Sequence, residues 1–166
     1  MTMFKTKALL VTALAACAFP ALSSSAQTMQ PVLTQPALTQ PAMYVVMFRA
    51  DWCAPCKVVE PNLIQARDML RDPSVEYLTF DISDPARSEI SAHHAFDREL
   101  VPQYNSWMGV TGFAAIIDGD TKRTLGCVNM LYDAASTAKH ISNLKTYAAS
   151  NQPSVDFTCP EPNAPR

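Results

Sequence analysis

Apolar residues follow two rhythms along the chain. Residues 44–48 (YVVMF) form an unbroken apolar run of β-branched and aromatic side chains, which predicts a strand covered on both faces. Residues 75–82 (VEYLTFDI), 113–117 and 123–130 predict three more strands, the last two joined by a turn at Asp118-Gly119. Elsewhere the spacing is close to 3.6. Val58, Val59, Leu63, Ile64, Ala66 and Leu70 place a helix over 54–70, kinked at Pro61, and residues 86–107 read as one or two further helices. Ala138, Ile141, Leu144, Tyr147 and Ala148 form one stripe of a closing helix over 134–149. The order strand, helix, strand, helix, strand, strand, helix gives a parallel pair with a helical crossover, followed by an antiparallel hairpin. The predicted domain is α/β, a mixed sheet of four to five strands with helices on both faces.

Both ends break these rhythms. Lys5 and Lys7 precede an apolar run at 8–22, and Ser24-Ser25-Ala26 follows it, the order of a secretory leader. Cleavage after Ala26 is expected; in the alternative reading, Leu14-Ala15-Ala16-Cys17 is a lipoprotein signal ending before Cys17, which would then carry a lipid anchor. Either way the domain is expected to work in a periplasm or a similar exported setting. Residues 27–42 (QTMQPVLTQPALTQPA) are a Pro/Gln/Thr-rich linker and 150–166 a Pro-rich tail, leaving 43–149 as the domain. A net charge of -2 offers no basic surplus, so nucleic acid is not a predicted partner.

The chemistry lies where the first strand passes into the first helix. Cys53 and Cys56 stand there two residues apart. At a helix N-terminus, unpaired N–H groups and the helix dipole favour thiolate over thiol, which makes Cys53 the candidate nucleophile. Cys56, one turn further in, is placed to attack a mixed disulfide formed at Cys53 and resolve it. Trp52 is expected to cover the pair from one side, and Pro55 to set the turn between the cysteines. The run Phe48-Arg49-Ala50-Asp51-Trp52-Cys53-Ala54-Pro55-Cys56-Lys57, with Pro61 beyond it, resembles the thioredoxin superfamily. The resemblance covers roughly residues 43–149. It implies a thioredoxin fold and disulfide exchange with protein thiols and disulfides, with a membrane electron donor as a candidate partner. No cofactor beyond the dithiol and no metal is implied, and Trp52, Pro55, Lys57 and Pro61 are its supporting residues.

Three departures qualify the resemblance. Thioredoxins carry a cis-proline opposite the dithiol; aligning the substrate loop with Thr111, Gly112, Phe113 and Ala114 puts Ala114 at that place, with an ordinary trans bond expected before it. Without the proline ring, metal or iron–sulfur binding becomes the alternative, although His93 and His94 are adjacent and His140 is isolated, which is not a zinc spacing. Second, the family's buried acid is replaced by Met47, and its lysine neighbour by Tyr77, which leaves water or Glu60 as the acceptor for the Cys56 proton. Third, Cys127 and Cys159 are an additional pair, expected as a structural disulfide that staples the tail, or else as a buried Cys127 and a free Cys159. A redox-inactive binding module using the 111–114 loop is the remaining class. Nothing in Ala54-Pro55 sets the potential; the reading taken forward is a reductant.

Overall fold

A computed structural model describes residues 40–150 and 159–163. The expected leader, Cys17 and all but the last three residues of the 27–42 linker lie outside the described residues, as do 151–158 and 164–166 of the tail. The elements run β1 (Met43–Arg49), α1 (Cys56–Leu70), β2 (Val75–Asp81), α2 (Pro85–Asp97), α3 (Val101–Ser106), β3 (Phe113–Asp118), β4 (Thr124–Asn129) and α4 (Ala134–Ala149). The strands form one four-stranded sheet in the order β2-β1-β3-β4. β1 pairs parallel with β2 and antiparallel with β3, and β3 pairs antiparallel with β4. This is the thioredoxin-like α/β architecture that the sequence implies, and its mixed sheet has helices on both faces.

Why YVVMF makes a central strand is visible in the packing. Alternate β1 residues point to opposite faces. Met43, Val45 and Met47 join one core with Val59 and Leu63 of α1 and Ile141 and Leu144 of α4. Tyr44, Val46 and Phe48 join the other with Ala95 of α2 and Tyr104 of α3, together with Leu78 and Phe80 of β2. Phe48 is the hub of this second core, stacked on Phe113 at a centroid distance of 4.8 Å and meeting Phe80 and Trp107 edge-on at 5.3 and 5.7 Å. Such aromatic pairs add directional preference to the area they bury, which holds the strand's side chains in one arrangement.

The helix ends are built differently, and the difference matters for the site. Asp84 and Asp133 cap α2 and α4, accepting from the backbone N–H groups of Arg87 and Ser136. α1 starts at Pro55 with no side-chain cap and no acidic residue in its first turn. Lys57 and Val58 N–H donate to the Ala54 and Pro55 carbonyls, which leaves the Cys56 N–H for whatever lies in front of the helix. The helix runs without a break through Pro61 to Leu70, and Arg71 ends it in the left-handed conformation at φ 47°. Just beyond, Asp72 ties this corner to α4 by an ion pair with Lys145.

Hydrogen bonding from Lys145 and then from Ser74 lowers the Asp72 carboxyl from 3.8 to about 2. A carboxylate whose folded pKa lies below its unfolded value contributes stability above the unfolded value and loses it as pH falls through the folded one. Asp72→Asn is expected to cost about 1 kcal/mol at pH 6, since the pair is partly exposed, and to cost clearly less near pH 2, where the folded carboxyl is about half protonated. Urea melts of both proteins at the two pH values check this; an equal deficit at both would contradict it.

Candidate active site

β1 delivers the chain to the end of the sheet at Arg49, and a tight turn then leads into α1. Cys53 N–H donates to the Ala50 carbonyl at 3.1 Å, closing the turn that aims Cys53 back at the helix start. Cys53 and Cys56 form a disulfide with Cα atoms 5.4 Å apart. The free helix end meets it directly, as the backbone N–H of Cys56 donates to Cys53 Sγ at 3.2 Å. On reduction that donor and the helix dipole would favour a thiolate on Cys53. Cys56 has different surroundings. Its Sγ lies 3.8 Å from the Phe48 carbonyl, so a reduced, buried Cys56 meets an acceptor, which favours the protonated thiol.

Both cysteines are buried, at 4% and 2% exposure. Trp52, next to Cys53, is 65% exposed. Pro55, Lys57 and Pro61 are exposed on the same turn and helix. The loop before β3 packs on the turn. Gly112 N–H donates to the Phe48 carbonyl at 2.9 Å, the same carbonyl that faces Cys56. A Cβ on Gly112 would lie 2.8 Å from Pro55 Cβ and 3.4 Å from Cys53 Sγ.

Gly112, with Thr111 beside it, thus packs on the cysteine turn from the loop. Phe113 and Ala114 are the first residues of β3, Ala114 fully buried opposite Met47 and Val128 and in the same apolar core as Cys53 and Cys56. Phe113 is drawn into the aromatic core with Phe48, so the strand starts there and the loop ends at Gly112. All peptide bonds of the described residues are trans. Met47 is buried at 2% exposure, as an apolar replacement for an acid requires, while Tyr77 stands opposite Val45 and Thr79 is the residue beside Met47.

Glu60 is not a lone surface carboxylate. Its Oε1 lies 2.7 Å from Arg49 Nε, and the same guanidinium pairs with Asp51 at 2.8 Å and with Asp81. Arg87 adds a second cation on Asp51. Hydrogen bonds from Arg87 and Arg49 hold the Asp51 carboxyl below its usual range. For Asp81, burial works the other way but is outweighed by hydrogen bonds from Ser83 and the Arg49 charge. Burial likewise works against the Arg49 charge, and the hydrogen bond to Asp51 with the charges of Glu60 and Asp81 overcomes it. This cluster clamps the end of β1, the turn residue Asp51, α1 and the end of β2 together. Sequence spacing does not reveal it, because Asp81 and Arg87 are 32 and 36 residues from their partners. The parallel pairing of β1 with β2 sets Arg49 beside Asp81 and is the signal that finds it.

Cys127 and Cys159 form a second disulfide, Cα atoms 4.8 Å apart, on the opposite face of the sheet from the first. Among the described residues no three His, Cys, Asp or Glu side chains converge on a point that could hold a metal ion. His93 and His94 are exposed on α2, and His140 packs against the Tyr132 ring.

Gly112 sits at φ 91°, a conformation that disfavours any Cβ, besides lacking room for one. Gly112→Ala is expected to destabilise the fold by about 1–3 kcal/mol and to move the loop off the disulfide. A thermal melt together with the rate of Cys53–Cys56 reduction by dithiothreitol checks both effects, and an unchanged melt and rate would show that the loop does not bear on the site.

The thioredoxin family model matches residues 27–94, a span that includes β1, the cysteine turn, α1 and β2. No curated protein matches the chain in sequence. Among solved structures, the chain is similar to a thiol:disulfide interchange protein of the thioredoxin family from Chlorobium tepidum TLS, at 17% identity over 64% of this chain and 81% of that one, with a TM-score of 0.45. It is also similar to Fasciola hepatica thioredoxin, at 18% identity over 63% of this chain and 82% of that one, with a TM-score of 0.39. Strand order, registers and the disulfide at the strand-to-helix turn carry the assignment, and they make this chain a thioredoxin-fold protein with a Cys-x-x-Cys active-site disulfide of the thiol–disulfide oxidoreductase type.

Proposed function

We propose that this protein is an exported thiol–disulfide oxidoreductase that reduces disulfides in other proteins. The observation that carries the reading is the unequal setting of the two sulfurs: Cys53 Sγ accepts from a helix N–H, and Cys56 Sγ lies against a backbone carbonyl. In the reduced protein the Cys53 thiolate attacks a substrate disulfide, forms a mixed disulfide and releases one substrate sulfur as a thiolate. Cys56 then loses its proton and attacks Cys53 Sγ, which releases the second substrate sulfur and regenerates the Cys53–Cys56 disulfide. Two electrons pass to the substrate. The proton of Cys56 goes to water or to Glu60 one helical turn away, since Met47 offers no acceptor.

The same setting supports a reducing direction. A dithiol is oxidising when its reduced form is strongly stabilised as thiolate. Here one N–H supports Cys53, while the carbonyl beside Cys56 works against charge, which suits the pair to donating electrons. A membrane thiol donor would recharge it. Export is supported by the leader-like order of residues 1–26 and by a second disulfide, which suits an oxidising compartment. A lipidated Cys17 would place the domain at a membrane surface; cleavage after Ala26 would leave it free.

Trapping tests the assigned roles. Reduced Cys56→Ser, mixed with an oxidised disulfide-containing protein, is expected to accumulate a mixed disulfide at Cys53, identified by mass after acid quenching. Cys53→Ser is expected to trap at least tenfold less under the same conditions, because the sulfur at 56 is buried against the Phe48 carbonyl. Equal trapping by the two variants would overturn the assignment, and no trapping by either would favour a redox-inactive binding module.

A further inference from the structure

The Cys127–Cys159 disulfide lies far from the exchange chemistry in sequence and on the other face of the sheet, yet its connections lead to the active-site loop. Cys127 is fully buried in β4 opposite Ala115. Cys159, its partner, starts a short strap, residues 159–163, laid along the end of α3. Trp107 Nε1–H donates to the Pro160 carbonyl at 3.0 Å. Asn163 donates twice, from its backbone N–H to the Ser106 carbonyl and from Nδ2 to the Met108 carbonyl, both at 2.6 Å. The strap therefore holds three consecutive residues, Ser106, Trp107 and Met108, at the point where α3 ends and the loop to β3 begins.

From there two routes reach the site. Val110 N–H donates to the Trp107 carbonyl at 2.9 Å, and two residues later Gly112 packs on Pro55 and Cys53. The Trp107 ring meets both Phe48 and Phe113 edge-on, at 5.7 and 5.5 Å, and these two residues flank the Phe48 carbonyl to which Gly112 is bonded. Without the disulfide, the strap would keep the part-buried bond to Pro160 and the bonds of Asn163 against its conformational entropy.

We propose that the Cys127–Cys159 disulfide is a redox latch on the exchange site: closed, it holds the strap on Trp107 and Met108 and keeps Gly112 pressed over Cys53; opened, it frees the loop and exposes Cys53 Sγ. The part concerning exchange rate rests on the function proposed above, whereas the coupling of strap to loop does not. The Cys53–Cys56 pair of the same molecule cannot open the latch, since the sheet separates the two disulfides. A dithiol reductant acting from outside can. Its thiolate attacks the sulfur of Cys159, the less buried residue of the pair; the Cys127–Cys159 bond breaks, Cys127 leaves as a thiolate and takes up a proton. The second thiol of the reductant then displaces Cys159, so that the reductant ends as a disulfide and both cysteines as thiols.

The test uses the full chain and the Cys159→Ala variant, which leaves the buried Cys127 in place. Hydrogen exchange is followed at the Trp107 indole and the Gly112 amide, and the initial rate of Cys53–Cys56 reduction by dithiothreitol is followed by mass-tagging of thiols. In Cys159→Ala both N–H groups are expected to exchange about fivefold faster or more, and Cys53–Cys56 to be reduced faster by a similar factor. A Gly112 amide as protected as in the parent overturns the latch, even if the Trp107 indole is freed. Should Cys159→Ala fail to fold by circular dichroism, Asn163→Ala, which keeps the disulfide, is expected to move the same readouts in the same direction by a smaller factor, and no change in it overturns the proposal. Loss of Gly112 protection in a protein whose Cys53 traps no substrate would uphold the latch and overturn the exchange function instead.

Discussion

The Phe48 carbonyl, at the end of the buried central strand, is the point on which the site depends. It accepts the Gly112 N–H from the loop before β3 and lies 3.8 Å from Cys56 Sγ, so one atom joins the strand, the covering loop and the disulfide. The Phe48 ring, pointing to the other face, is packed among Phe80, Trp107 and Phe113. A strand buried on both faces cannot slip by one residue without exchanging its two cores, and this fixes where the carbonyl stands. The geometry of the cysteine turn is thus inherited from core packing rather than from the turn itself.

Charge is arranged around this point and not within it. The dithiol belongs to the apolar core that also holds Met47, Val59 and Ala114, whereas Arg49, Asp51, Glu60, Asp81 and Arg87 form a partly exposed network on the neighbouring elements. Partly exposed ion pairs contribute modestly each, but a guanidinium shared by three carboxylates also orients the elements that carry them. The network ties the start of α1 to the ends of β1 and β2, which keeps the uncapped helix terminus aimed at Cys53. A buried acid at position 47 would bring a proton acceptor to Cys56; its absence makes proton loss from Cys56 the step most dependent on water or on Glu60.

Local sequence carried the architecture well because the pattern was strong where it mattered. The apolar run at 44–48 is β1 with one residue added at each end, and the stripe at 134–149 is α4. The helix of the cysteine motif begins at Cys56 rather than at 54, since Ala54 and Pro55 are used to close the turn in front of it. What was not legible depended on distant partners. The point where the loop ends and β3 begins is set by Phe113 packing on a ring 65 positions earlier in the chain, which no local spacing reports. Arg49 looks like an ordinary residue of the motif until β2 is laid beside β1. Trp107 read as the end of a helix, and its part in joining the strap to the loop emerges only when Pro160 lies against it.

The central claim is that Cys53 and Cys56 are a reversible two-electron couple that donates electrons. A redox titration of the purified protein in dithiothreitol and glutathione buffers, with mass-tagging to assign each cysteine, tests it most directly. The account predicts a reversible transition of the Cys53–Cys56 pair near about −270 mV, resolved from that of Cys127–Cys159. A Cys53–Cys56 transition near about −120 mV would make the protein an oxidant and contradict the proposed direction, and the absence of any reversible transition at this pair would contradict the exchange chemistry itself.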